Sequence, residues 1–258
     1  MSQAERRATD RGALFRLTGL IGFLAIWWLA AQAVASPNLL PSPLRVAIYT
    51  WHATESGDLP RQMAFTLARV LVAFVIAMAA GSAAGYAMGR SARIDAIADP
   101  WLVIALNLPL LLVVILAYIW IGLNDLAAVL AVVAAKAPSV VVTLREGSRA
   151  LDPGLDDMAA VFRLPYTRRL REVVLPQLAP YLAAAGRSGL SITWKIVLVV
   201  ELLGRPNGIG FVLNSAFQNF DVTAILAYGL AFAVIMLVVE AGVLQPLERR
   251  ARAWRGDA

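Results

Sequence analysis

Apolar residues in this chain fall in long runs separated by short charged stretches, not in the 3.6-residue stripe of a soluble amphipathic helix. Crossing about 30 Å of hydrocarbon takes roughly 20 residues of helix. Six runs meet that length, at 17–35, 63–88, 101–122, 126–144, 181–203 and 222–244. Lipid offers no partner to backbone N–H and C=O groups, so each run is predicted to be a helix. The pattern therefore predicts an all-α integral membrane protein with six transmembrane helices. The start has the look of a secretory signal: Arg6, Arg7, Arg11 and Arg16, an apolar run, then Ala33-Val34-Ala35 before Ser36. That apolar run is longer than a signal core, and cleavage would leave five spans, so a retained first helix is expected.

Composition agrees with the pattern. Of 258 residues, 60% are hydrophobic and 16% charged, against about 25% charged in soluble domains. One aqueous core cannot hide so much apolar surface. The net charge of +6 and pI near 10.2 raise the question of nucleic acid, but the placement of the charges answers it. With both termini cytoplasmic, the inside segments hold Arg6, Arg7, Arg11, Arg16, Arg90 and Arg93, then Arg145, Arg149, Arg163, Arg168, Arg169 and Arg171, and finally Arg249, Arg250, Arg252 and Arg255. The outside loops hold only Arg45, Arg61 and Arg205. This asymmetry is a positive-inside signal. It predicts a cytoplasmic tail at 1–16, a membrane domain at 17–244 with a cytoplasmic loop at about 145–180, and a cytoplasmic tail at 245–258. Cysteine is absent and His52 is the one histidine, so neither thiol chemistry nor a metal-ligand cluster is expected.

Several details bear on packing. Gly81, Gly85 and Gly89 form a doubled small-xxx-small pattern that lets helix backbones approach closely. Pro109 removes a backbone donor inside the third run and is expected to kink it, either lining a pathway or simply shaping the packing. A Pro-rich linker at 36–42 leads to an amphipathic stretch at 44–52, expected along the outer interface. Residues 204–210 are rich in turn formers, and 211–220 are expected to form a half-buried helix.

The loop at 145–180 has its own structure. Asp152-Pro153 is a helix start, since aspartate accepts from orphan N–H groups and proline suits the first helical position. Asp156 and Asp157 sit near the positive helix end, and Met158, Ala159, Val161 and Phe162 supply apolar surface. Leu164-Pro165 is expected to end this helix. A basic segment at 166–174 then leads to Leu175-Pro176. The expectation is two short helices at an angle, either displayed in the cytoplasm or lying on the membrane as a connector.

This loop resembles the cytoplasmic signature of permease subunits of bacterial ABC importers, which reads Glu-Ala-Ala, three residues, Gly, nine residues, Ile or Val, one residue, Leu-Pro. Anchored on Val173 and Leu175-Pro176, the pattern sets Asp157 at the Glu, Met158 and Ala159 at the alanines, and Arg163 at the Gly. Met158 and Arg163 depart from it, and Pro165 is expected to supply the break that the glycine would provide. The resemblance runs from about residue 40 to the C-terminus, through Leu40-Pro41-Ser42-Pro43, Thr66-Leu67-Ala68-Arg69-Val70, Gly89-Arg90-Ser91, Leu108-Pro109, Trp120-Ile121-Gly122-Leu123 and Glu201 with Gly208-Ile209-Gly210. It is most similar to the nitrate/sulfonate/taurine branch. The resemblance implies a type I ABC importer permease fold in a bacterial inner membrane. It implies a second permease subunit, expected to be identical, two ATPase subunits inside that carry ATP and Mg, and a periplasmic or lipid-anchored substrate-binding protein outside. It implies that Asp156, Asp157, Met158, Ala159, Phe162, Arg163, Leu164 and Pro165 couple to the ATPase, with Met158 and Phe162 as docking anchors.

No ATPase motif is present, because Lys136 is followed by Ala137 and Lys195 by Ile196, and neither completes a phosphate-cradling Gly-Lys-Ser/Thr loop. No cofactor or catalytic site is expected in this chain. Arg69, Lys136, Arg187, Lys195 and Glu201 lie in or at the edges of spans, where charge is costly. Pro109, Lys136, Lys195 and Glu201 are the candidates for a translocation pathway that favours anions; the other reading is that these groups bond to neighbouring helices or snorkel. Lys195 and Glu201 are about 600° of helix apart and face different directions. Two rival classes remain. An intramembrane hydrolase would need a serine–histidine or carboxylate pair within the spans, and the sequence offers neither. An ion-gradient-driven secondary transporter would show internal repeats, and none is evident.

Overall fold

The computed structural model describes residues 3–36 and 38–244, with side chains described for 18–36 and 38–242. The expected tail at 245–258, with Arg249, Arg250, Arg252 and Arg255, lies outside the described residues, as do the side chains of Arg6, Arg7, Arg11 and Arg16. Among the described residues every element is helical. The order is α1 (Gln3–Val34), α2 (Pro43–Glu55), α3 (Asp58–Arg90), α4 (Ala92–Asn107), α5 (Leu110–Ile121), α6 (Asp125–Arg149), α7 (Pro153–Val161) and α8 (Tyr166–Arg169). A π-turn (Leu170–Val174), α9 (Leu175–Gly204), α10 (Ile209–Gln218) and α11 (Val222–Val239) follow, and a second π segment (Glu240–Leu244) ends the order.

Local chemistry sets these boundaries. Ser42 accepts from the Arg45 N–H with Pro43 in the first turn of α2, and Asn124 Oδ1 accepts from Ala127 N at 2.9 Å to start α6. Each side chain satisfies a donor that a helix start leaves orphaned.

Four helices are long and apolar enough to cross a membrane: Asp58–Arg90, Asp125–Arg149, Tyr166–Gly204 and Val222–Gly242. Thr18–Val34 is apolar but shorter. The third expected span is broken, not kinked: Ala92–Asn107 and Leu110–Ile121 meet at 100°. Leu108 and Pro109 are both extended, with ψ of 129°. A residue before proline is driven from the helical region, and proline cannot close the next hydrogen bond. Described helices thus supply four crossings, or five with the bent pair, where hydropathy alone predicted six. Pro176, by contrast, breaks nothing. Residues 166–204 run on as one helix because the wider π-turn before Pro176 gives its ring room beside the carbonyl four residues back. The expected pair of short helices is therefore one short helix and the start of a span.

The described residues divide into two compact units, one within 3–61 and 212–231, the other within 62–211 and 232–244. In the first, Trp27 Nε1 donates to the Pro41 carbonyl at 3.0 Å, Tyr49 packs edge-on against Tyr228, and the Tyr228 hydroxyl donates to Asp58. In the second, α6 lies between α5 and α9. Its small residues Ala127, Ala128 and Ala131 are essentially fully buried against Val197 and Val200 of α9.

The glycine row of α3 meets α6 as the small-xxx-small spacing predicts. A Cβ on Gly81 would lie 2.7 Å from Val140 Cβ, one on Gly85 2.5 Å from the Val141 carbonyl oxygen, and one on Gly89 2.5 Å from Ser148 Cβ. Large apolar side chains such as Ile26, Ile119, Leu237 and Val238 are more than half exposed. In water such surface would be a liability, whereas in hydrocarbon it is solvated. The chain is a multi-pass membrane protein.

Candidate functional site

Two sites lie within the second unit. The first is a buried ionic cluster where α3, α6 and α9 converge. Glu201 is fully buried and Arg69 only 7% exposed. Arg69 Nη1 donates to Glu201 Oε1 at 2.6 Å, and its Nε donates to Asp125 Oδ1 at 2.8 Å. The other Glu201 oxygen accepts from the Thr66 hydroxyl at 2.8 Å and from Gly210 N at 2.9 Å. Both charges are thus paired and hydrogen-bonded, as burial demands.

The same cluster fixes the loop between α9 and α10. Gln62, Thr66 and Arg69 share one face of α3 at helical spacing. Gln62 Oε1 accepts from Gly208 N at 2.8 Å, and Thr66 Oγ1 accepts from Ile209 N at 2.8 Å. Arg69 donates to the Asn207 carbonyl at 3.0 Å and to the Asn207 side chain. Gly208 has φ of +103°, and a Cβ there would strike the Glu201 carboxylate. Glycine is required there both by conformation and by space. Pairing Glu201 with Arg69 was missed in the sequence, which compared Glu201 only with Lys195 on the same helix. The signal existed: Arg69, near the start of the 63–88 run, and Glu201, the one acidic residue of the 181–203 run and near its end, are of opposite sign, and intramembrane charges pair.

The other expected pathway residues are separated. Lys136 is 3% exposed, with Nζ donating to Ser139 Oγ at 2.7 Å beside Gly189 of α9. Lys195 is exposed, its ammonium 5.4 Å from the Trp194 ring centroid. Pro109 is exposed at the break between α4 and α5.

The second site is α7 and its surroundings. Asp152 caps the helix, its Oδ1 accepting from Gly154 N at 2.8 Å, and its own N–H donates to Gln177 Oε1 at 2.9 Å, tying α7 to α9. Asp156 and Ala159 face inward, at 12% side-chain exposure and 2% exposure respectively. Asp157, Met158, Phe162, Arg163 and Pro165 are exposed, and Leu164 is partly buried. Asp156 accepts from Arg90 Nη2 at 2.5 Å and pairs with Arg169 Nη2 at 3.0 Å. Burial disfavours its charge, but the guanidiniums of Arg169 and Arg90 outweigh this and hold the carboxyl below its ordinary value.

Arg163 corrects the expectation that Pro165 alone breaks the helix. It has φ of +49°, Leu164 N donates to the Ala159 carbonyl at 3.0 Å and Arg163 N to the Ala160 carbonyl at 3.0 Å. This is a Schellman C-cap, usually closed by glycine in the left-handed region. Arg163 thus keeps the glycine turn at a conformational cost of roughly 1–2 kcal/mol. Arg163→Gly is expected to raise the melting temperature slightly in detergent and Arg163→Ile to lower it; a glycine variant that melts earlier would contradict the assignment.

The family described as "Binding-protein-dependent transport system inner membrane component" matches residues 77–245, and the chain belongs to it. This establishes a permease of an ABC-type transport system and sets aside the gradient-driven alternative. SsuC of Bacillus subtilis, whose name refers it to aliphatic sulfonates transport, is 26% identical over 260 residues, covering 99% of this chain and 94% of its own. The taurine transport system permease protein TauC of Escherichia coli is 27% identical over 240 residues, covering 91% of this chain and 87% of its own. A crystal structure of an amino acid ABC transporter superposes with a TM-score of 0.58 at 19% identity, over 77% of this chain and 96% of that one. That likeness concerns the fold.

Proposed function

We propose that two copies of this chain form the translocation path for a small acid-bearing solute of the sulfonate or taurine class. An external binding protein delivers the solute, and two separate ATPase subunits drive the cycle. Both termini and α7 face the cytoplasm, in keeping with the arginine distribution. The observation that carries the coupling part is the outward apolar face of α7. Val161 is 78% exposed, Phe162 71% and Met158 41%, although Ala159 beside them is buried. A helix that turns its large apolar residues away from its own subunit has a surface suited to a partner's groove. The substrate class is supported by the names of SsuC and TauC. Of the two lysines, Lys195 is the exposed one, suited to meet an anion, while Lys136 reaches a pathway only if α6 and α9 part.

Truncating an aromatic anchor commonly weakens an interface by about 2 kcal/mol or more. Phe162→Ala is therefore expected to insert normally, to retain less ATPase on purification, and to lose ATP-driven uptake in liposomes. Full ATPase retention and normal uptake would refute α7 as the docking helix.

A further inference from the structure

Asp156 is turned toward its own subunit, with a side chain 12% exposed, whereas Phe162 is 71% exposed. The two Asp156 oxygens are shared between helices: Oδ2 with Arg90, the last residue of α3, at 2.5 Å, and Oδ1 with Arg169, the last residue of α8, at 3.0 Å. Each arginine side chain is 37% exposed, whereas that of Asp156 is 12% exposed. Arg90 follows Gly89, whose contact with Ser148 and Arg145 locks the end of α3 onto α6. Arg145 in turn holds Asp99 at 2.5 Å and Arg149 holds Asp95 at 2.5 Å, both on α4. One carboxylate therefore links α7 to the end of the α3–α6 pair and to the start of the 166–204 helix.

We propose that Asp156 is the positioning residue through which displacement of α7 moves α3 and the 166–204 helix together. The inference rests on the reading of α7 as the docking helix and adds the route by which its motion reaches the spans. Charge-assisted hydrogen bonds from two arginines are short and directional, so they resist a change of distance between the groups they join. Asparagine in the same place keeps shape and polarity but loses the charge that holds both guanidiniums.

The test uses the complete transporter in liposomes, comparing Asp156→Asn, Asp156→Glu and Arg90→Gln with the parent. Three readouts are needed: substrate moved per ATP hydrolysed, ATPase retained on purification, and melting temperature. Asp156→Asn is expected to keep the ATPase bound while substrate per ATP falls about tenfold, a usual size for a lost coupling. Arg90→Gln is expected to do the same, and Asp156→Glu to restore part of the loss. Unchanged stoichiometry in Asp156→Asn, with or without a lower melting temperature, overturns the proposal. So does loss of the ATPase to the extent expected for Phe162→Ala, which would make Asp156 a docking contact, and so does full coupling in Arg90→Gln. Failure of the docking reading would show separately, as Phe162→Ala retaining both ATPase and uptake.

Discussion

Glu201→Ala is expected to destabilise the protein by about 3–5 kcal/mol, the usual result of removing one partner from a buried ion pair. The variant removes the buried acceptor shared by the Arg69 guanidinium, the Thr66 hydroxyl and the Gly210 N–H, leaving Arg69 only the exposed Asp125 carboxylate as a charged partner. The loss should appear as a large fall in melting temperature in detergent and as early proteolysis within 205–210, the loop these groups hold. The double variant Arg69→Met with Glu201→Leu should recover much of the loss, because an apolar pair of similar volume leaves no uncompensated charge. A single variant that melts with the parent would mean that Glu201 is not enclosed as described. A double variant no better than the single would assign the loss to the loop contacts alone.

Gly85→Leu is expected to have an effect of comparable size from packing alone. Even the first carbon would lie 2.5 Å from the Val141 carbonyl oxygen and 2.9 Å from Leu144 Cβ, and neither backbone nor a fully buried leucine can yield. Overpacking of this kind costs about 1–3 kcal/mol for small insertions, and leucine adds three further carbons along the same line. The α3–α6 contact should open, with loss of folded protein in detergent. Gly22→Leu serves as the control, since nothing lies within 4 Å of a Cβ there. Equal stability of the two variants would refute the close approach.

Much of this was legible in the sequence, for reasons that differ by element. Hydrocarbon length made the apolar segments readable, and the spacing of Gly81, Gly85 and Gly89 announced a close contact, although not its partner. The Asp152-Pro153 start of α7 was readable from capping chemistry alone. The break at Leu108-Pro109 was placed correctly but its size was not, because a proline states that a helix is interrupted and not how far its halves diverge. The turn at Arg163 was misattributed, since arginine carries no preference for the left-handed region and is held there by the closing hydrogen bonds.

The sequence by itself determined that this chain lives in lipid, where its crossings are helical, and which loop carries a helix of its own. Those features depend on residues near one another in the chain and on the backbone's need to satisfy itself in hydrocarbon. Only the tertiary structure decided that Arg69 meets Glu201 across 132 residues, that Asp156 is shared by Arg90 and Arg169, and that Lys136 is enclosed while Lys195 is not. A charge within a span signals that a partner exists. Which partner it finds depends on the relative depth and rotation of separate helices, and no local pattern encodes these.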